Sequence, residues 1–161
     1  MSAISLLCNR GCGTVIITAR DMTGRRGVRR MADPQLVLFV CPHGAGKSRM
    51  AAAYFNTVAG PQWMATSAGI TPQATVSAHA ARLLDGTPAA PALDTTLPRP
   101  IHAVTDPNVV VAIDCPTPPT PGAVPWRLRH QDFDASMRDE IRELVERLAA
   151  DLGALPKPEV S

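Results

Sequence analysis

The apolar run LVLFV at 36–40, followed directly by CPHGAGKSRM at 41–50, constrains the fold more than any other feature of the chain. Consecutive apolar residues of this kind are typical of a strand that is buried on both faces. The two glycines at 44 and 46 favour a tight turn, and SRMAAAYFNTVA at 48–59 repeats its apolar residues with helical spacing. A strand, a glycine-containing turn and a helix in direct succession indicate one βα unit of a parallel sheet.

The rest of the chain continues this alternation. The predicted elements are a short strand at 63–67, a helix that Thr75 or Ser77 caps and that runs to Leu84, a proline-rich connector at 87–107, strands at 108–113 and 124–128, and an amphipathic helix at 133–152. Strands and helices that alternate in this way predict an α/β protein with a parallel central sheet. Ligands bind such sheets at the carboxyl ends of the strands, where Cys41 and Asp114 are expected.

Size and composition restrict the class of function. The chain has 161 residues, of which 45% are hydrophobic, and this is enough for one domain with a real core. A net charge of +2 is too small to indicate nucleic acid or an anionic membrane as a partner. No apolar stretch approaches the roughly 20 residues that cross a bilayer. We interpret 1–31 as a disordered extension or a misassigned start before the domain, 32–155 as the domain, and 156–161 as a tail.

The four cysteines indicate neither a disulfide framework nor a zinc site. Cys8 and Cys12 lie close together, but no second pair of cysteines or histidines accompanies them. Unpaired thiols of this kind favour a reducing compartment, which predicts a cytoplasmic protein.

The turn at 42–46 predicts a site for an oxyanion. Its backbone N–H groups and the dipole of the following helix form a cradle for anions, and Lys47 adds a positive charge at the rim. A thiol at Cys41 would meet the same groups, all of which favour the thiolate, and Ser48 is placed to donate a hydrogen bond to the sulfur. A thiolate aimed at a bound phosphate is an in-line nucleophile that forms a thiophosphate, which water then clears.

Two alternatives rest on the same residues. The sequence GAGKS matches the end of the nucleotide-binding motif G-x-x-x-x-G-K-[ST], and Asp114 at the end of an apolar strand resembles a magnesium ligand. Against this interpretation, Cys41 replaces the first glycine of the motif. The plainer alternative is a tight turn that binds nothing, with Cys41 as a small core residue.

VLFVCPHGAGKSRMAAAYFN at 37–56 resembles the signature of the low-molecular-weight protein tyrosine phosphatases and of the arsenate reductases of the same fold. That signature is an apolar strand, Cys, five residues, Arg-Ser and a helix rich in methionine and alanine. Further segments of the chain are similar to the family: TSAGI at 66–70, VSAHAARLL at 76–84, NVVVAID at 108–114, PWRL at 125–128 and RDEIRELVERL at 138–148.

The resemblance covers about 32–152 and implies a three-layer α/β fold, with a four-stranded parallel sheet flanked by helices. It also implies a role for each residue of the loop. Cys41 would be the nucleophile, and Ser48 would stabilise its thiolate. The phosphate-binding residues would be Pro42, His43, Gly44, Ala45, Gly46 and Lys47.

The chain departs from the family pattern inside the loop. Lys47 stands at the arginine position, and lysine is a point charge where arginine grips two phosphate oxygens with a planar fork. Gly44 stands at the asparagine position and tolerates the same left-handed backbone. Arg49 follows two residues later, and each helical residue turns the side chain by about 100°, so we expect that it does not replace the missing arginine.

The general acid is the second departure. The family has an Asp-Pro pair shortly after the last strand, whereas this chain reads RHQDFD at 129–134. Asp132 is the first candidate to protonate the leaving oxygen and His130 the second; the alternative for Asp132 is to cap the last helix. Asp106-Pro107 precedes the third strand, at the wrong end of the sheet.

Together these observations predict a phosphomonoesterase that acts on a phosphorylated protein or a small phosphomonoester, without a metal or an organic cofactor. A non-catalytic phosphate or phosphopeptide module is the first alternative, because Lys47 and the missing Asp-Pro both weaken turnover. An arsenate reductase that uses an external thiol is another, because only Cys115 accompanies Cys41 in the domain.

Overall fold

The structure of the protein, a computed structural model, describes residues 33–156. The predicted extension at 1–31 and residues 157–161 of the predicted tail lie outside this range. The strands are β1 (Gln35–Cys41), β2 (Trp63–Gly69), β3 (Val109–Ile113) and β4 (Val124–Trp126), and the α-helices are α1 (Lys47–Val58), α2 (Ala78–Leu84) and α3 (Ala135–Asp151).

The four strands form one parallel sheet in the order β2-β1-β3-β4. The predicted α/β fold with a four-stranded parallel sheet is therefore confirmed. Because the chain moves to one side of β1 for β2 and to the other side for β3, the strand order reverses between β1 and β3. Their carboxyl ends form the crevice in which open α/β sheets bind ligands, and Cys41 and Asp114 lie at these two ends.

Alternating residues of β1 divide the core into two clusters. Val37, Phe39 and Cys41 pack with buried residues of α1, α2 and α3, whereas Leu38 and Val40 face the opposite side. On that side the cover comes from the connector, including the 3-10 turn at Ile101–Ala103. Burial on both faces explains why the strand reads as an unbroken apolar run.

The last strand and the last helix differ from their predicted bounds, each for a local reason. The last strand ends at Trp126, because the Leu128 N–H donates to Asp114 Oδ1 at 3.0 Å and so does not continue the backbone hydrogen bonds of the sheet. Helix α3 begins at Ala135, since Asp134 caps it by accepting from the N–H groups of Ser136 and Met137. Helix α2 begins after Ser77, one of the two predicted caps, whose hydroxyl accepts from the His79 N–H.

Candidate active site

The loop between β1 and α1 turns its carbonyl oxygens outward. Each carbonyl of residues 41–46 accepts a hydrogen bond: Cys41 O from Ile70 N (3.2 Å), Pro42 O from Thr71 N (2.9 Å), His43 O from Gln73 N (3.1 Å), Gly44 O from Arg49 Nε (3.0 Å), Ala45 O from Ser77 N (3.1 Å) and Gly46 O from Met50 N (3.0 Å). In a trans peptide the carbonyl and the next N–H point in opposite directions. The N–H groups of residues 43–47 therefore face inward and form the predicted cradle.

The thiol of Cys41 lies at the base of this cradle. Its Sγ atom is 3.2 Å from the Gly44 nitrogen and 3.1 Å from Ser48 Oγ. Within the described part of the chain, the Gly44 N–H is the only one of the five inward N–H groups that has a protein acceptor. The structure thus brings together Cys41, Ser48 and the loop as the sequence predicts. The remaining N–H groups are available to a tetrahedral oxyanion held against the sulfur.

Two glycines let the loop rest on the end of β2. Gly44 has a φ of +63°, and a Cβ atom there would lie 2.6 Å from the backbone nitrogen of Gly69. A Cβ atom on Gly69 would lie 2.7 Å from the nitrogen of Gly44. Only a backbone without side chains allows this approach, so the glycine of the TSAGI segment shapes the loop from below.

Lys47 is paired with the aspartate at the end of β3. Its Nζ atom lies 2.6 Å from Asp114 Oδ2 and 3.1 Å from Gln131 Oε1. Burial of the Asp114 carboxyl disfavours its ionised form, but the hydrogen bonds from Lys47 and from the Leu128 N–H outweigh this and lower its pKa. Asp114, the candidate magnesium ligand of the nucleotide interpretation, is here the partner of the loop lysine.

A cleft of about 700 Å³ opens over the cradle. The loop forms its floor, and Phe133 and His79 form part of the opposite wall, with ring centroids 5.5 Å apart. Phe133 lies so close to the loop that a Cβ atom on Gly46 would be 2.8 Å from its ring. Sequence reasoning missed both residues. Phe133 comes just before Asp134, which caps α3, and this place outside the helix could have indicated that its side chain is free to face the cleft. The sequence around His79 gives no comparable signal.

The candidate general acids lie outside the cleft. Asp132 is exposed, and its carbonyl accepts from the Asp134 N–H at 2.8 Å. His130 is also exposed, and its N–H donates to the buried carboxylate of Glu140 at 3.0 Å. These contacts fix the path of the segment before α3, so that Gln131 and Phe133 face the cleft instead. The alternative cap role of Asp132 is wrong, because Asp134 caps α3.

Cys115 lies on the other side of the sheet from Cys41. Its thiol belongs to the cluster with Leu38 and Val40, and its Sγ atom is 3.6 Å from the carbonyl oxygens of Val40 and Ile113. Burial, followed by the proximity of Cys41, raises the pKa of Cys115 to about 11. This thiol is therefore poorly suited to a second nucleophilic step.

Residues 33–156 contain no group of three or more His, Cys, Asp or Glu side chains placed to hold a metal ion. Within the same range, no helix has both the length and the apolar character needed to cross a membrane.

No protein-family model and no curated protein matches the sequence. Among solved structures, an arsenate reductase from Archaeoglobus fulgidus is 30% identical; the match covers 71% of this chain and 98% of that one, with a TM-score of 0.58. The chain belongs to the family of the low-molecular-weight protein tyrosine phosphatases and arsenate reductases.

Two further structures of the family share the fold at lower identity. An arsenate reductase in a phosphate-binding state is 22% identical, with a TM-score of 0.60, and the match covers 73% of this chain and 98% of that one. A low-molecular-weight protein tyrosine phosphatase from T. tengcongensis is 18% identical, with a TM-score of 0.52 and coverages of 73% and 99%. The predicted family is confirmed.

Proposed function

We propose that this protein is a phosphomonoesterase in which Cys41 attacks the phosphorus of a bound phosphomonoester. One observation carries the proposal: the Cys41 sulfur lies beneath the inward N–H groups of its own loop, with Ser48 Oγ at 3.1 Å. Donors fixed in this way stabilise charge that develops on the transferring group without reorganising. We propose Pro42, His43, Gly44, Ala45, Gly46 and Ser48 as the residues that hold the phosphate, and Lys47 as the cation beside it.

The reaction has two displacement steps. In the first, the thiolate forms an S–P bond while the P–O bond to the leaving group breaks. In the second, water attacks the phosphorus of the cysteinyl phosphate, and inorganic phosphate and the thiolate are released. The substrates would be phosphorylated proteins or small phosphomonoesters. Because the nucleophile must stay reduced, a reducing compartment such as the cytoplasm suits this chemistry.

The protonation of the leaving group sets a limit on substrates. Asp114 lines the cleft, but its lowered pKa and its pairing with Lys47 make it a poor proton donor. We therefore propose that aryl phosphates, whose leaving groups are stable as anions, are much better substrates than alkyl phosphates. A series of substituted phenyl phosphates tests this: a steep fall in kcat/KM with rising leaving-group pKa is expected, and a flat series would reveal an efficient proton donor.

Arsenate reduction is the second candidate, favoured by the match to the Archaeoglobus fulgidus arsenate reductase. Arsenate is tetrahedral like phosphate, so the same cradle would hold it against Cys41. The thiolate would displace hydroxide to form an S–As bond. An external thiol would then attack the Cys41 sulfur, the two electrons of the S–As bond would pass to arsenic, and arsenite would leave a mixed disulfide behind. We propose an external partner because Cys115, the second thiol within residues 33–156, is buried on the other side of the sheet.

One pair of assays separates the candidates. Hydrolysis of p-nitrophenyl phosphate, inhibited by vanadate, is expected for the wild type and absent in Cys41→Ser. Arsenite formation from arsenate is measured in parallel with glutathione or thioredoxin as the reductant. Cys115→Ser and Asp132→Asn serve as controls that should keep the wild-type rate. A Cys41→Ser protein that still hydrolyses the substrate would refute the covalent mechanism, and phosphate binding without either reaction would indicate a binding module.

A further inference from the structure

We propose that Arg49 is the positioning residue that orients the cradle from behind, an inference that rests on the proposed function. Arg49 is 1% exposed and is the largest side chain fully buried among the described residues. It does not line the cleft. Its Nε atom donates to the Gly44 carbonyl at 3.0 Å, and its Nη1 atom donates to the Asp94 carbonyl at 2.5 Å. A buried guanidinium is costly, so contacts of this kind call for a function.

The contact to Gly44 decides which way one peptide group faces. Because Arg49 binds the Gly44 carbonyl on the outer side, the N–H of Ala45 in the same peptide points into the cradle. Gly44 has a φ of +63° and no side chain of its own to restrain it. If this peptide turned over, the cradle would lose a donor and gain a carbonyl oxygen that repels the oxyanion.

Arg49 can hold the peptide because its other end is fixed. Its Nη1 atom lies 3.7 Å from the Asp94 carboxylate, which Arg99 also binds. Arg99 in turn donates to Thr66 Oγ1 in β2 at 2.8 Å. Desolvation lowers the pKa of Arg49, but the Asp94 carboxylate opposes this effect. The guanidinium thus links the loop to the connector and to the strand on which the loop rests.

The glycine at the family's asparagine position and the buried arginine behind it form one arrangement. The chain lacks an asparagine side chain at Gly44 and carries an arginine two residues after Lys47. Gly44 has no side chain that could hold the loop from within, so Arg49 holds it from the first turn of α1. Arg49 lies behind the loop and not in the cleft, as expected for a residue that does not replace the missing phosphate-binding arginine.

Binding of orthophosphate tests this role directly. Phosphate is titrated while the rate of Cys41 alkylation by iodoacetamide is followed by mass spectrometry, which gives a Kd for the folded protein. We expect Arg49→Met to weaken phosphate binding by about ten-fold, the factor for one lost donor contact to a charged group. Arg99→Met is the matched control: it also removes a partner of Asp94, but its guanidinium has no contact with the loop. It should lower the urea midpoint and weaken phosphate binding much less than Arg49→Met, because the bond from Arg49 Nη1 to the Asp94 carbonyl remains.

Arg49→Lys has a single nitrogen, cannot span Gly44 and Asp94 together, and should bind phosphate less tightly than the wild type. A wild-type Kd in Arg49→Lys would overturn the inference, whether or not Arg49→Met folds. Equal weakening by Arg99→Met would also overturn it, because the loss would then reflect general loosening. If phosphate fails to protect Cys41 in the wild type, the proposed function itself fails, whereas protection that Arg49 variants do not change refutes the inference alone.

Discussion

Replacing Lys47 by arginine should increase the rate of phosphomonoester hydrolysis. The Lys47 ammonium carries three N–H donors, and Asp114 and Gln131 accept two of them. One donor is left for the substrate. An arginine at this position has five donors in a planar fork, so it can keep one edge on Asp114 and direct the other edge at two phosphate oxygens.

The size of the effect follows from that difference. One additional hydrogen bond from a charged donor is worth about 1.5–3 kcal/mol when it forms with the transferring group. Since about 1.36 kcal/mol corresponds to a factor of ten in rate, kcat/KM should rise by about ten- to a hundred-fold. The gain should appear in kcat as well as in KM, because the charge on the equatorial oxygens is held through the transition state.

The assay is hydrolysis of p-nitrophenyl phosphate by the wild type, Lys47→Arg and Lys47→Met, with the concentration of reactive Cys41 titrated by iodoacetamide. Lys47→Met should fall below the wild type, because the cleft then keeps the Asp114 carboxylate without its cation. A Lys47→Arg protein that still binds phosphate but turns over no faster than the wild type would refute the reasoning. It would mean that the lysine does not face the transferring group.

Three further predictions concern stability and reactivity. Gly44→Ala should lower the free energy of unfolding, measured in urea, by more than 2 kcal/mol. About 1–2 kcal/mol comes from the left-handed backbone alone, and the new Cβ atom would also lie 2.6 Å from Gly69 N. The control is Gly86→Ala, which has a φ of +74° and no atom within 4 Å of the new Cβ, so it should cost only the backbone part. Burial of Glu140 disfavours its ionised form, but the hydrogen bonds from the N–H groups of Arg129 and His130 outweigh this and lower its pKa below the usual glutamate value. A lowered pKa stabilises the folded state while the carboxylate is ionised, so Glu140→Gln should be less stable by about 1–3 kcal/mol at pH 7. The difference should shrink as the pH falls through the pKa of the folded state. With the pKa of Cys115 raised to about 11, iodoacetamide at pH 8 should alkylate Cys41 and spare Cys115, as peptide mapping would show.

The parts of the molecule that the sequence predicted are those in which the determining residues are neighbours in the chain. LVLFV at 36–40 had to be a buried strand, and a helix begins a few residues later. Cys41 and Ser48 meet because a strand and a helix joined by a tight turn leave their facing ends close together, and the contact spans seven residues. No distant part of the chain had to be placed to predict it.

The parts that were missed depend on contacts that the local sequence pattern does not specify. Lys47 and Asp114 are separated by 67 positions, and their pairing follows from β1 and β3 being neighbours in the sheet. The place of Asp132 depends on Glu140, which accepts from the backbone ten and eleven positions earlier and so fixes the segment before α3. A sequence pattern can indicate that a carboxylate follows the last strand, but not which way such a segment turns.

The pairing of Lys47 with Asp114 also bears on how a lysine can serve in this loop. A free lysine has a flexible stem and would lose much conformational entropy on meeting a substrate. Held by Asp114 and Gln131, with 14% of its side chain exposed, Lys47 has already lost that freedom. The carboxylate neutralises part of the charge that would attract an anion. Most of the attraction must therefore come from the loop N–H groups other than that of Gly44, which donates to the Cys41 sulfur. Because the backbone N–H groups carry the attraction, the loop must be rigid. The bond from the buried Arg49 to the Gly44 carbonyl contributes to that rigidity and offsets the free energy of desolvating the guanidinium.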